Sequence, residues 1–199
     1  MRLFIAVNLP AEERRAIWQA AAPLRASGLP VRWVGESELH LTLRFLGEVE
    51  SERAPAIAEA LAGAVGALQP FGVGVGGVGA FPGLAKPRVI WLGVERHPAL
   101  ELLANDVELA LMGLGFEPAL KPFAPHLTLG RARRGARPAA LKDLARLAGA
   151  VTHQALAPVT SVDLMQSTLG AQGASYTVLS KAALGRGPAA AAQQEGEAH

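Results

Sequence analysis

Cysteine is absent from the 199 residues, which removes a disulfide framework, a thiol nucleophile, a zinc ribbon and an iron–sulfur cluster, and suits a reducing compartment. An excess of charge is also missing. Nineteen Lys and Arg against 17 Asp and Glu leave +2, too weak a bias to point to a nucleic-acid partner, so any basic footprint must be local. The chain lacks a convincing membrane span: the 26 residues from Ala60 to Ala85 carry no charged side chain, but Pro70, Pro82 and eight glycines interrupt them. At the N-terminus the apolar run Leu3–Val7 is five residues long, a first strand and not a signal peptide. No Walker A sequence is present, so ligation driven by ATP has no support. With 50% hydrophobic and 18% charged residues, the bulk of the chain must fold around a core.

Residues 1–184 read as one domain without an interdomain linker, and 185–199, GRGPAAAAQQEGEAH, as a flexible tail without apolar period. A strand over Arg2–Asn8 precedes a helix from Pro10 to about Ala26; strands follow at Val31–Val34 and Leu39–Leu46. Ser51 is placed to cap a helix to about Leu68. Strands at Phe71–Phe81 and Arg88–Val94 flank a turn with Pro82-Gly83 and Pro87, and Pro98 opens a helix to about Met112. The second half then resembles the first: a strand at Pro125–Arg131, a helix at Pro138–Ala148, and closing strands at Val151–Met165 and Ser175–Lys181, with Gly170 and Gly173 at the turn.

What is present twice is His-Leu-Thr-Leu, at His40–Leu43 and His126–Leu129, each inside an expected strand. By composition such a repeat arises by chance in about one chain in a few hundred. Side chains alternate along a strand, so His40, Thr42 and Arg44 should share one face, and His126 and Thr128 another, while the leucines pack inward. Two imidazoles and two hydroxyls in one cleft suit attack on phosphorus. One neutral His takes a proton from the nucleophile, one protonated His donates to the leaving oxygen, and the threonines donate to the non-bridging oxygens. Imidazole titrates near neutrality and can do both without a metal. The plain alternative is four surface residues on half-exposed strands, which the duplication argues against.

The two motifs, 86 residues apart, resemble those of the 2H phosphoesterase superfamily, and RLFIAVNLP, HLTLRFLGEV, GAFPGLAKPRVIWLGV and PFAPHLTLGRAR resemble its bacterial branch, the RNA 2′,3′-cyclic phosphodiesterases or 2′-5′ RNA ligases. The resemblance runs from Arg2 to about Leu184. It implies an α+β bilobal fold: two pseudo-symmetric lobes of mainly antiparallel sheet, helices outside, and a central cleft where the histidines face each other. It also implies metal-independent opening of a 2′,3′-cyclic phosphate to a 2′-phosphate, with His40 as proton donor, His126 as proton acceptor, and Thr42 and Thr128 holding the phosphate. Ser167 and Tyr176 match the family's last strand pair; Met165 and Gln166 replace its usual tyrosine and acid.

Arg44 and Arg131 are the candidate substrate-binding residues beside the motifs. Arg133, Arg134 and Arg137 extend a basic run that reads equally as an RNA-backbone contact or a solvated loop. Gly74–Gly79 satisfies G-x-G-x-x-G, but no helix follows, so a glycine face against a crowded neighbour is the better reading. His97, His153 and His199 lack partners at metal spacing. Trp33 leads into the first motif, either as core or as cleft wall. The expected partners are RNA ends or nucleotide cyclic phosphates, met by a cytoplasmic monomer that needs no cofactor, metal or membrane. The rival is a module that binds RNA ends or a nucleotide without turnover.

Overall fold

The structure, a computed structural model, describes residues 1–170 and 173–185; most of the expected tail lies outside them. In chain order the elements are β1 (Arg2–Asn8), α1 (Ala11–Ala20), α2 (Ala22–Arg25), β2 (Val31–Trp33), β3 (His40–Glu48), α3 (Ala54–Val65) and β4 (Phe71–Phe81). There follow β5 (Val89–Val94), α4 (Pro98–Gly113), β6 (His126–Ala132), α5 (Leu144–Gly149), β7 (Gln154–Val159), β8 (Ser161–Gly170) and β9 (Gly173–Ala183). All the strands join one antiparallel sheet in the order β7-β4-β5-β6-β3-β1-β8-β9, with β2 paired to β6.

The two motif strands, β3 and β6, lie side by side at the middle. Their one backbone pairing is Leu41 with Leu127, so this is a narrow seam between two halves of four strands each, with β2 added on β6. The halves are not the two halves of the sequence. One is built from the continuous stretch β4 to β7, the other from β1 and β3 together with β8 and β9. The strand expected over Val151–Met165 therefore divides at Thr160, where the chain leaves β4 for β1. Pro158 is tolerated because β7 is an edge.

Between its polar ends, Arg2 and Asn8, β1 is apolar because both its faces are covered. Leu3, Ile5 and Val7 join the main core, while Phe4 and Ala6 form a small second core with Met165 and Tyr176 on the opposite face. Helices α3 and α4 back the half that holds β3, and α5 packs on β4. Leu41 and Leu127, 1% and 0% exposed, anchor both motifs in the main core, each burial contributing roughly 1.5–3 kcal/mol.

Local chemistry explains the smaller departures. The first helix breaks at Ala21 because Pro23 has no N–H for the carbonyl four residues back. Ser51 does not cap: its hydroxyl turns to Glu52 Oε1 at 2.9 Å, and Pro55 in the first turn opens α3. The expected helix over Pro138–Ala148 is a 3₁₀ turn followed by α5. On β4 the glycines do face crowded neighbours: a Cβ at Gly79 would overlap the Trp91 indole, and Gly77, at φ 70°, is the extra residue of a bulge against β5.

Candidate active site

Carrying the Leu41–Leu127 register one residue either way sets His40 opposite Thr128 and Thr42 opposite His126. The four polar side chains thus share the face away from the main core, with the histidines on a diagonal. His40, Thr42, Thr128 and Arg131 line a cavity of about 440 Å³. His126 does not line it; it stands at the margin, packed edge-on against Phe81 with ring centroids 5.0 Å apart and near Trp91 at 6.5 Å. The absence of a side chain at Gly79 leaves room for that indole.

The two imidazoles are held alike. Nδ1 of His40 lies 2.7 Å from the Glu38 carbonyl, and Nδ1 of His126 lies 2.7 Å from the Ala124 carbonyl. A carbonyl only accepts, so Nδ1 carries the hydrogen and Nε2 is left for chemistry in both rings. His40 also packs against Phe4 and, edge-on, against Tyr176, each at 5.0 Å. Burial in this aromatic corner lowers its pKa below the ordinary imidazole value; the Glu38 carbonyl and carboxylate oppose the shift, and the positive charges of Arg131 and His126 add to it. His40 therefore senses both groups of the other half.

Simple alternation fails after each threonine, in the same way in both copies. Ala6 pairs with Thr42 and Ile5 with Arg44, leaving Leu43 as an extra residue; Trp91 pairs with Thr128 and Ile90 with Gly130, leaving Leu129 extra. Each bulge reverses the faces beyond it. Phe45 and Arg131 consequently turn to the cavity, and the expectation that Arg44 joins His40 and Thr42 is corrected. Arg44 lies on the other side, paired with Glu108 at 2.9 Å and donating to the Glu117 carbonyl. We expect Arg44→Met to change kcat/KM for any substrate of the cavity less than about threefold while lowering Tm slightly, since it removes a half-buried ion pair; parallel kinetics and melting check this.

Phe4, Trp33, Ser167 and Tyr176 are also in the wall, as are Arg2, Arg32 and Glu38. Ser167 and Tyr176 are cross-strand partners in β8 and β9. Met165 is buried in the small core beneath them. Trp33 proves to be wall as well as core. The run Arg133–Arg137 is not part of this cavity. Phe4, Phe81, Trp91, Arg2 and Arg32 were not anticipated. For Phe4 a signal existed, since it alternates with the core residues Leu3 and Ile5 on a strand beside the first motif. Among the described residues no three His, Cys, Asp or Glu gather as a metal-ligand set, and no helix is long and apolar enough to cross a membrane.

A single antiparallel α+β sheet with a duplicated His-x-Thr at its seam is the architecture of a 2H phosphoesterase. The model of the 2′-5′ RNA ligase superfamily matches residues 13–171, and the chain belongs to that superfamily. It is 42% identical over 135 residues to an RNA 2′,3′-cyclic phosphodiesterase of Archaeoglobus fulgidus, covering 67% of this chain and 74% of that one. A second RNA 2′,3′-cyclic phosphodiesterase, from Geobacillus stearothermophilus, is 38% identical over 150 residues, 75% of this chain but only 48% of that longer relative. The crystal structure of E. coli LigT complexed with 3′-AMP superposes with a TM-score of 0.69 at 30% identity, covering 92% of this chain and 97% of that one.

Proposed function

We propose that the protein is an RNA 2′,3′-cyclic phosphodiesterase that opens the ring to a 2′-phosphate with two histidines and no metal, acting as a cytoplasmic monomer. The observation that carries this reading is the convergence of both His-x-Thr pairs on one face, each imidazole tied through Nδ1 and offering Nε2. The names of the relatives and the nucleotide held by LigT support the same substrate class.

In this mechanism neutral His126 takes a proton from water through Nε2 as the water oxygen attacks phosphorus. The bond from phosphorus to O3′ breaks, His40 gives its Nε2 proton to O3′, and the 2′-phosphate remains. Thr42 and Thr128 donate hydrogen bonds to the non-bridging oxygens, where charge accumulates. The roles of His40 and His126 follow the family resemblance. Burial and the positive charge of Arg131 work against a protonated His40 in the free protein; the phosphate anion of the substrate works for it, so the donor is charged most readily when substrate is in place. Were an RNA 5′-hydroxyl to stand where water stands, the same bond would break and a 2′-5′ linkage would form. That joining needs no ATP, because the strained ring supplies the driving force.

The test is to incubate the protein, in excess EDTA, with an oligonucleotide ending in a 2′,3′-cyclic phosphate and to identify the terminus. We expect full turnover and only a 2′-phosphate. Binding without turnover by folded protein would favour the binding module, and turnover lost to EDTA would make a metal-bound water the nucleophile.

A further inference from the structure

The two motif histidines are held by the same bond but by different residues. The carbonyl that takes the Nδ1 hydrogen lies two residues before each imidazole, at 2.7 Å in both copies; before His126 that residue is Ala124, and before His40 it is Glu38. Ala124 brings a methyl group and Glu38 a carboxylate. Oε2 of Glu38 accepts the Gly35 N–H at 2.7 Å while the Glu38 N–H donates to the Gly35 carbonyl at 3.1 Å, so the side chain locks the single 3₁₀ turn Glu36–Glu38 from both directions. The turn is tied on either side as well: the Val34 N–H donates to the Leu129 carbonyl of the second motif at 2.9 Å, and Leu39 is buried in the main core. The carbonyl of Glu38 is thereby aimed at His40. Its carboxylate is the one carboxylate among the residues lining the cavity, and none of the ion pairs among the described residues includes it.

The other charges around His40 are positive. Arg131 comes from β6, as does His126 when protonated, with Arg32 from β2 and Arg2 from β1, while Tyr176 of β9 adds a phenol. The buried carboxylate of β8, Asp163, is taken up by Asn8 and Ser161 and does not line the cavity. We propose that Glu38 is the positioning residue of the proton donor: its carbonyl fixes the tautomer of His40, and its carboxylate both holds that carbonyl in place and supplies a negative charge to an imidazole that must be charged to act. This rests on the reading that His40 donates to O3′. The base copy has Ala124 at the equivalent place, and a base works better without an anion nearby to favour its protonated form. The same asymmetry is felt in the free protein, where burial lowers the His40 pKa and the Glu38 carbonyl and carboxylate raise it.

Glu38→Gln separates the two contributions, because the amide oxygen still accepts the Gly35 N–H while the charge is gone. Productive enzyme holds His40 protonated and His126 neutral, so at the acid end kcat/KM follows the neutral fraction of His126 and at the alkaline end the protonated fraction of His40. On a 2′,3′-cyclic phosphate substrate, the ratio of variant to parent kcat/KM should therefore fall about three- to tenfold between about pH 5.5 and about pH 8.5. Glu38→Ala, which also frees the turn, should lose kcat at both ends. A ratio for Glu38→Gln that is flat with pH, whether at the parent level or below it, overturns the proposal. NMR titration of the histidine rings in the free protein separates this from failure of the hydrolytic reading. In Glu38→Gln the His40 ring should titrate at a pH lower by about 0.5–1 and keep its Nδ1 hydrogen, with His126 hardly moved. A His40 titration that stays in place overturns the proposal whether or not the protein turns over; one that moves as expected in a protein without turnover upholds the hold of Glu38 on His40 and sinks the hydrolytic reading alone.

Discussion

His40→Ala and His126→Ala should each lower turnover of a 2′,3′-cyclic phosphate by about 10²–10⁴-fold, the usual contribution of a positioned acid or base, while the double variant should be little worse than either. Proton removal at the attacking water and proton delivery to O3′ belong to one displacement, so losing either partner leaves the other with little to assist. Single-turnover kinetics on the three variants decide it, and losses that multiply would separate the two groups into independent steps. Melting curves guard against a trivial explanation, since His40 fills a corner between Phe4 and Tyr176. The pH profile adds a signature of role. A donor must hold its proton in the free enzyme for kcat/KM, and the His40 pKa is lowered, so the fall of kcat/KM with rising pH should begin on the acid side of the usual imidazole value of about 6.5. Arg131→Met removes one of the charges that lowers it and should move that fall to higher pH.

The next largest loss is expected at the threonines. Thr42→Val and Thr128→Val should each cost about 10–10³-fold in kcat, because each removes one donor from the phosphoryl oxygens in the transition state. Valine keeps the branched shape that suits a strand, so Tm should hold. Steady-state kinetics would show kcat falling with little change in KM if the bonds form mainly in the transition state. Unchanged turnover in both variants would reduce the threonines to strand formers.

Much of the site was legible because it is written in a short word repeated. A strand with polar residues two apart displays them on one face, and leucines between them fix that face, so His40, Thr42, His126 and Thr128 group together from the sequence alone. The limit of that logic was two residues further on. The bulges after Thr42 and Thr128 reverse the pleat without any local mark: HLTLRF and HLTLGR offer an arginine at neighbouring positions, and only the partner strand decides which one meets the cavity. Arg32 was invisible for a related reason, since it reaches the cavity only because β2 pairs with the end of β6. The helix break at Pro23 could have been read from proline chemistry, whereas the division at Thr160 depends on which strands already occupy the two halves of the sheet.

The threading of the sheet also sets an order of assembly as the chain leaves the ribosome. The half that carries His126 is complete, apart from its contact at the seam, once Val159 has emerged, because β4 through β7 are consecutive and pair among themselves. The half that carries His40 is made first and finished last: β1 has β3 beside it early, but its other flank stays open until β8 is synthesised. Through most of synthesis one edge of this strand, apolar from Leu3 to Val7, is unpaired, and the small core of Phe4, Ala6 and Met165 is incomplete. A nascent chain halted before Ser161 should therefore hold a folded His126 half beside an exposed β1, a surface that invites chaperone capture or pairing with a second chain.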